Sequence, residues 1–354
     1  MSQVYWTELV RRLSPYVPGE QRFGQNIVKL NTNENPYPPA PGVLQALSSI
    51  TGDALRRYPD PESLELRQAL AEYHQLKLAQ VFVGNGSDEI LALAFMAFFT
   101  GSKSLQFPTL SYSFYPVYCD LLNIEQNSIA LQDDFSINLD AFTDNGGGIV
   151  FPNPNAPTSM AVTYEQIESL LARVPNTVVL VDEAYADFGA RSVSSLVNKY
   201  PNLLVSQTFS KGRSMAGMRL GVAMGSPDLI DALTRVKNSF NSYPIDAAAQ
   251  KAGIASLQDD NYYKETIEKI CVTRAQVVAA LQERNFKILP SAANFIFVSP
   301  PQRNAARLFD WLNQHDILVR YWNKGDLTPW LRITIGTDAE MQQLISCIDG
   351  ADFL

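Results

Sequence analysis

What most constrains the fold of this chain is a series of short apolar runs separated by helix-like stretches. The runs are "QVFVG" (80–84), "SLQFP" (104–108), "GIVFP" (148–152), "TVVLVDEAY" (177–185), "LLVSQTFS" (203–210) and "RLGVAMG" (219–225). Runs without polar alternation suit strands buried on both faces. Strands spaced by helices suit a mostly parallel sheet, because a parallel pair needs a long crossover connection. The expected fold class is therefore α/β. With 354 residues, 46% of them hydrophobic and 18% charged, the chain can build more than one core.

After about residue 245 the pattern changes to a long helical stretch. The strand-like pieces "FKILPSAANFIFVSP" and "WLRITIGT" then flank the helical "AARLFDWLNQHDILVRY". We expect a large domain over 31–245, a small C-terminal domain over 246–354, and an N-terminal arm over 1–30 that begins the small domain. The Pro-rich "NTNENPYPPAPG" marks the crossing.

A net charge of −8 without a basic cluster argues against nucleic acid and acidic membrane surfaces as partners. Cys119, Cys271 and Cys347 are far apart in sequence and read as buried, reduced thiols, with neither a disulfide framework nor a metal site. The N-terminus lacks a signal-peptide core, and "ILALAFMAFF" is too short to span a bilayer, so a cytoplasmic location is expected. His74 and His315 lie in polar helical contexts and read as surface residues, which disfavours histidine triads.

In an open parallel sheet, ligands bind beyond the carboxyl ends of the strands, so the polar residues directly after the runs carry the functional information. After "VFV" comes "GNGSDE" and then a helix, whose first amides at Gly86, Ser87 and Asp88 could hold an anion; a simple cap by Ser87 or Asp88 is the alternative. After "GIVF" comes "PNPNAPTS", a stiff polar loop or an ordinary turn. Asp182 ends a buried run, an expensive place for a carboxylate unless it meets a cation; helix capping is the alternative. After "LLVSQTF" come Ser210 and Lys211, with Arg219 eight residues on. Most lysines near helix starts are solvated charges, so Lys211 alone decides nothing. An anion-binding helix start, a carboxylate, a lysine and an arginine in one crevice nevertheless match pyridoxal phosphate. That cofactor needs a lysine for its aldehyde, a carboxylate for its pyridine nitrogen, and amides with an arginine for its phosphate.

At these motifs the chain resembles the fold type I pyridoxal-phosphate aminotransferases, and within them the histidinol-phosphate aminotransferase group. The resemblance runs from "KLNTNENPY" through "RRYPDPES", "GNGSDEIL", "PTLSYSFYPVY", "NPNAPTS", "VDEAYADF", "TFSKGRSMAGMRLG" and "ILVRYW" to "WLRITIGT". It implies a large domain with a mostly parallel central sheet, a smaller α/β domain and an N-terminal arm. It also implies that Lys211 holds the cofactor aldehyde, with Asp182 on the pyridinium nitrogen, Tyr185 on the phenolic oxygen and Tyr112 stacked on the ring. The cofactor phosphate falls to the amides of Ser87 and Asp88 and the side chains of Ser210 and Arg219. The family usually has an asparagine where this chain has Ala156, and Asn155 is assigned its contact instead. The family is dimeric, which makes Tyr58 the residue that reaches a neighbour's active site. Tyr16, Asn33, Glu34, Asn35, Arg320 and Arg332 match positions around the substrate.

The implied reaction is a ping-pong amino transfer, with histidinol phosphate and 2-oxoglutarate giving imidazole acetol phosphate and glutamate. A threonine-phosphate decarboxylase and an aromatic amino acid aminotransferase are the alternatives on the same scaffold. A regulator that binds the cofactor without catalysis is the alternative of a different class.

Overall fold

The computed structural model describes residues 5–17, 19–22, 24 and 27–353. Its central sheet has seven strands, in the spatial order Val81–Asn85, Leu220–Gly225, Leu203–Thr208, Val179–Asp182, Ile149–Pro152, Leu105–Pro108, Gln126–Ile129. Leu220–Gly225 runs antiparallel to both of its neighbours, and the other pairs are parallel. All six expected runs are strands. The seventh, Gln126–Ile129, is an exposed polar edge strand, a composition that protects an edge from pairing with another chain and leaves no hydrophobic signal.

Alternate residues of the central strands feed two cores. Val179, Val181, Leu203 and Val205 join helix residues such as Leu70, Leu170 and Ala252 on one face. Val150, Leu180, Leu204 and Ala223 join Ile90, Phe95, Tyr115 and Leu233 on the other. The two-residue period of a strand thus explains why the runs are apolar throughout.

The small lobe is a four-stranded antiparallel sheet in the order Arg320–Tyr321, Leu331–Thr334, Phe295–Ser299, Lys287–Ile288, covered by the helices Asp260–Glu283, Ala305–Gln314 and Asp338–Asp349. Val28–Lys29 of the arm pairs in parallel with Ile317–Leu318, and Val28 and Leu30 enter the small-lobe core. One boundary differs from expectation. The helix Ala247–Gln258 buries Ala249, Ala252 and Leu257 in the large-lobe core against Val222 and Leu70, so the small lobe begins near Asp259 rather than at residue 246. An alanine-rich helix carries no label saying which core it joins.

Register decides where the site lies. Pro152 is level with Asp182, Asp182 with Ser206, Thr208 with Gly221, and Asn85 with Leu220. Because Leu220–Gly225 is reversed, its start lies at the same edge as the carboxyl ends of its neighbours, and Arg219 comes to the turns that carry Ser210 and Ser87. The order also switches direction between Leu105–Pro108 and Ile149–Pro152, the kind of crevice where α/β sheets bind ligands.

Two glycines make the close approach possible. Gly86 has φ +80°, and a Cβ on Gly221 would lie 2.5 Å from the carbonyl carbon of Gly86 and 2.7 Å from the amide nitrogen of Ser87. Both neighbours are backbone and have no rotamer in which to yield. Gly221→Ala should therefore destabilise the fold by about 1–3 kcal/mol, read as a lower denaturant midpoint; an unchanged midpoint would mean that the strand and the helix start can separate freely.

Candidate active site

Lys211 lies just beyond the strand Leu203–Thr208, in a turn closed by the Ser210 amide donating to Thr208 Oγ1 at 3.1 Å and the Met215 amide donating to the Phe209 carbonyl at 3.0 Å. Its Nζ donates to the carbonyl of Thr32 at 3.0 Å. Asn35 Nδ2 donates to the carbonyls of Lys211 and Gly212 at 3.0 and 3.3 Å, so the segment 32–35 that follows the arm holds both ends of this lysine. Burial, then the charge of Arg332, brings the ammonium down to about 8, against the opposing charges of Glu34 and Asp88. Arg219, eight residues away in sequence, contributes less than Arg332.

Asp182 is 4% exposed. It accepts from the Ala184 amide at 3.2 Å and from the Tyr115 hydroxyl at 3.3 Å. Burial lifts its carboxyl to about 7 in spite of these donors, and the nearby carboxylate of Asp88 adds to the rise. A carboxyl in this condition is matched to a cationic partner that the protein chain does not supply.

The helix Gly86–Ala94 starts without a side-chain cap: Asn85 instead donates its amide hydrogen to Glu89 and its side-chain nitrogen to the Pro244 carbonyl. Capping by Ser87 or Asp88 does not occur. The Asp88 carboxylate bends aside to Tyr112 Oη at 2.9 Å and Arg219 Nη2 at 3.0 Å, and Arg219 adopts φ 52°. First-turn amides, Ser210 and an arginine held by a carboxylate form a donor set suited to a dianion.

Tyr185 packs edge-on against Phe295, with ring centroids 5.0 Å apart, and its hydroxyl accepts from Asn33 Nδ2 at 3.0 Å. Its own proton is left to donate. Asn33 is itself fixed, at φ 57°, by Thr334 and by Asn294 Nδ2 donating to its carbonyl. Asn155 is held by its neighbours. Its Nδ2 donates to the Leu110 carbonyl and to Thr158 Oγ1, each at 2.9 Å, and the unpartnered atom is Oδ1, an acceptor. The Leu110 carbonyl fixes this orientation, since only the amide nitrogen can face it. Ala156 packs with Ala293, Phe295 and Tyr185, so apolar contact replaces the missing asparagine.

On the substrate side, Tyr16 lies on Phe114, with centroids 4.6 Å apart, and 6.5 Å from Tyr112. Glu34 accepts from Lys29 and Thr32, which holds its carboxylate down despite burial. Arg320 and Arg332 are cross-strand partners. Arg332 Nη2 donates to the Asn31 carbonyl at 2.8 Å, while its buried Nε has no partner. Tyr58 is 82% exposed and stacks only on Tyr243, at 4.6 Å.

Several residues of this neighbourhood escaped sequence reasoning: Tyr115 on Asp182, the Thr32 carbonyl on Lys211, and Asn294 on Asn33. Tyr115 stands three residues after Tyr112 in one aromatic segment and could have been found; the other two depend on contacts across long sequence distances. His74 is half-buried rather than on the surface, and burial beside Arg213 drops its imidazole to about 4. His315 is exposed, as expected, and Cys271 and Cys347 are only partly buried free thiols. Among the described residues there is no cluster of metal-ligating side chains and no helix long and apolar enough to cross a membrane.

Comparison with known proteins decides the family. The model for aminotransferase class I and II matches residues 25–348. A histidinol-phosphate aminotransferase of Hydrogenovibrio crunogenus is 52% identical over 97% of this chain and 96% of its own length. The chain belongs to the histidinol-phosphate aminotransferase family. A Chromohalobacter salexigens member is 51% identical over 98% of both chains. The Sinorhizobium meliloti histidinol-phosphate aminotransferase, solved in complex with pyridoxal-5'-phosphate, superposes with a TM-score of 0.88 at 26% identity, covering 98% of this chain and 96% of that one. The chain is thus a fold type I aminotransferase, and the site fits that cofactor: a buried carboxyl without a cation, an uncapped helix start and a partly buried lysine of lowered basicity.

The fit carries a stability consequence. In the cofactor-free protein the Asp182 carboxyl is raised from its ordinary 3.8 to about 7. Between those values the unfolded chain holds fewer protons than the folded one, so this residue lowers stability as pH rises from about 4 to 7. Asp182→Asn should stabilise the cofactor-free protein by about 4 kcal/mol at pH 8 and leave it nearly unchanged at pH 4. Denaturation at the two pH values checks this; an equal effect at both would remove the charge argument.

Proposed function

We propose that this enzyme transfers the amino group of histidinol phosphate to 2-oxoglutarate, yielding imidazole acetol phosphate and glutamate, with pyridoxal phosphate held by Lys211. The observation that carries the reading is the pair Arg320 and Arg332. Two guanidiniums facing each other across adjacent strands, one with an unpartnered buried Nε, ask for an anion between them. A phosphate on one substrate and a carboxylate on the other both meet that need. Relatives about half identical to this chain bear the aminotransferase name, which favours transfer over decarboxylation.

When bound, the cofactor supplies an aldehyde for the amine and a protonated ring that draws electrons from the reacting carbon. Asp182 keeps that ring nitrogen protonated, and Tyr185 donates its hydroxyl proton to the phenolic oxygen. Tyr112 covers the ring, while the amides of Ser87 and Asp88, with Ser210 and Arg219, hold the phosphate. Lys211 would hold the aldehyde and would take and return the proton of the substrate's reacting carbon; at about 8 its amine is a usable base near neutral pH. Asn33 orients Tyr185, and Tyr16 closes one wall. The working form is a homodimer in which Tyr58 reaches the neighbouring subunit, and the exposed pair Tyr58 and Tyr243 supports this. The location is the cytoplasm.

Mixing the holoenzyme with histidinol phosphate and no keto acid should convert the cofactor absorbance to that of the amine form in a single turnover. Carbon dioxide release from threonine phosphate, with no change on histidinol phosphate, would install the lyase instead. Lys211→Ala should cost about 10³-fold or more in turnover while the protein stays folded. Uptake of pyridoxal phosphate by the cofactor-free protein requires the neutral amine, so its rate should rise about tenfold per pH unit and level off above about 8. A rise that continues toward pH 10 would show that burial and Arg332 do not tune this lysine.

A further inference from the structure

We propose that Trp322 is a specificity-determining residue, whose indole holds Arg320 and Arg332 together as one clamp for the phosphate of the substrate. This rests on the substrate reading above and names the residue that makes the arginine pair workable.

Arg320 and Arg332 are directly opposite on antiparallel strands, where like charges destabilise the pairing. Each guanidinium carbon lies 5.4 Å from the centroid of the same indole ring. The face of an indole attracts a cation through its quadrupole, and one ring here serves two cations. The choice of group matters. A carboxylate in this place would also attract both arginines, but it would occupy their N–H donors and compete with the incoming anion. An indole has no acceptor of that kind. It offsets part of the repulsion and leaves donors available, such as the unpartnered Nε of Arg332.

The ring is also fixed relative to the cofactor side of the site. Trp322 packs against a cluster that joins Phe297 and Trp330 of the small lobe to Leu110 and Met160 of the large lobe. Leu110 is two residues from Tyr112, and its carbonyl is the acceptor that orients Asn155. The clamp therefore stands at a set distance from the residue that covers the ring, as recognition of a phosphate at a fixed distance from a reacting amine requires.

The test uses the holoenzyme, whose cofactor already fills the other phosphate site, and inorganic phosphate as the binding probe. Trp322→Leu should weaken phosphate binding about tenfold by calorimetry and raise KM for histidinol phosphate about tenfold, with kcat changed less than about twofold. Trp322→Phe keeps a ring face and should stay within about threefold of the parent on both measures. Phosphate should also alter the tryptophan emission of the parent holoenzyme, and Trp322→Phe should abolish that change, which keeps the test decisive if the leucine variant does not fold.

Phosphate affinity unchanged in Trp322→Leu, equal losses in the leucine and phenylalanine variants, or a full emission change in Trp322→Phe would each overturn the proposal. The two readings fail separately. A parent enzyme that ignores histidinol phosphate while binding phosphate through Trp322 would remove the substrate and keep the clamp. Normal KM in Trp322→Leu would remove the clamp and keep the substrate.

Discussion

Three ionisable groups that do not neutralise one another, Asp182 buried and Lys211 and Arg332 partly so, set the terms for the rest of this structure. Asp182 is a carboxyl raised by burial and by a second carboxylate, Lys211 an ammonium lowered by burial and by Arg332, and Arg332 a guanidinium lowered by burial with Arg320 adding to the effect. A fold selected for stability alone would pair such groups or replace them, because unpaired charge in a protein interior is costly. Here the register of the central sheet brings Asp182 and the turn of Lys211 to one edge, and a strand of the small lobe brings Arg332 close enough to act on that lysine.

That arrangement depends on one reversed strand. If Leu220–Gly225 ran parallel to its neighbours, Arg219 would leave the sheet at the opposite edge from Lys211, Asp182 and the first turn of Gly86–Ala94. Reversal makes a loop of only eleven residues, 209–219, able to carry the lysine and return with the arginine. Gly86 and Gly221 then allow helix start and strand to meet without side chains between them. The spacing of Lys211 and Arg219, ambiguous in isolation, is the length of that return.

Much of this was legible in the sequence because it is local. Doubly buried strands are apolar throughout, and the residues that follow them are polar only where a site requires it, so the six central strands, Lys211, Asp182 and Arg219 stand out in the chain. What was not legible depends on contacts between distant segments. The strand Gln126–Ile129 is polar because it is an edge, and the helix Ala247–Gln258 could have joined either lobe. The Leu110 carbonyl, 45 residues away, fixes which atom of the Asn155 amide remains open, and nothing in the motif shows that contact. Arg332 outweighs Arg219 at Lys211 for a similar reason: sequence distance says nothing about which cation is nearer once a small-lobe strand folds over the site.

The loop bearing Lys211 also shows how two lobes can act on a single amine. From the segment after the arm, Asn35 and the Thr32 carbonyl bind its main chain and its Nζ. From the other side, Arg213 donates to the Ser256 carbonyl at 2.6 Å and lies 4.3 Å from the ring of Tyr263, in the helix Asp260–Glu283 that leads into the small lobe. Tyr263 in turn donates to Asp187 at 2.6 Å, two residues from Tyr185. Gly212 admits this carboxylate where any side chain would collide with it. A free lysine side chain carries about 2 kcal/mol of rotamer entropy. Here its backbone is fixed by the segment 32–35, the large lobe and the connecting helix together, so much of the ordering that an approach to the reacting carbon demands is complete before a substrate arrives.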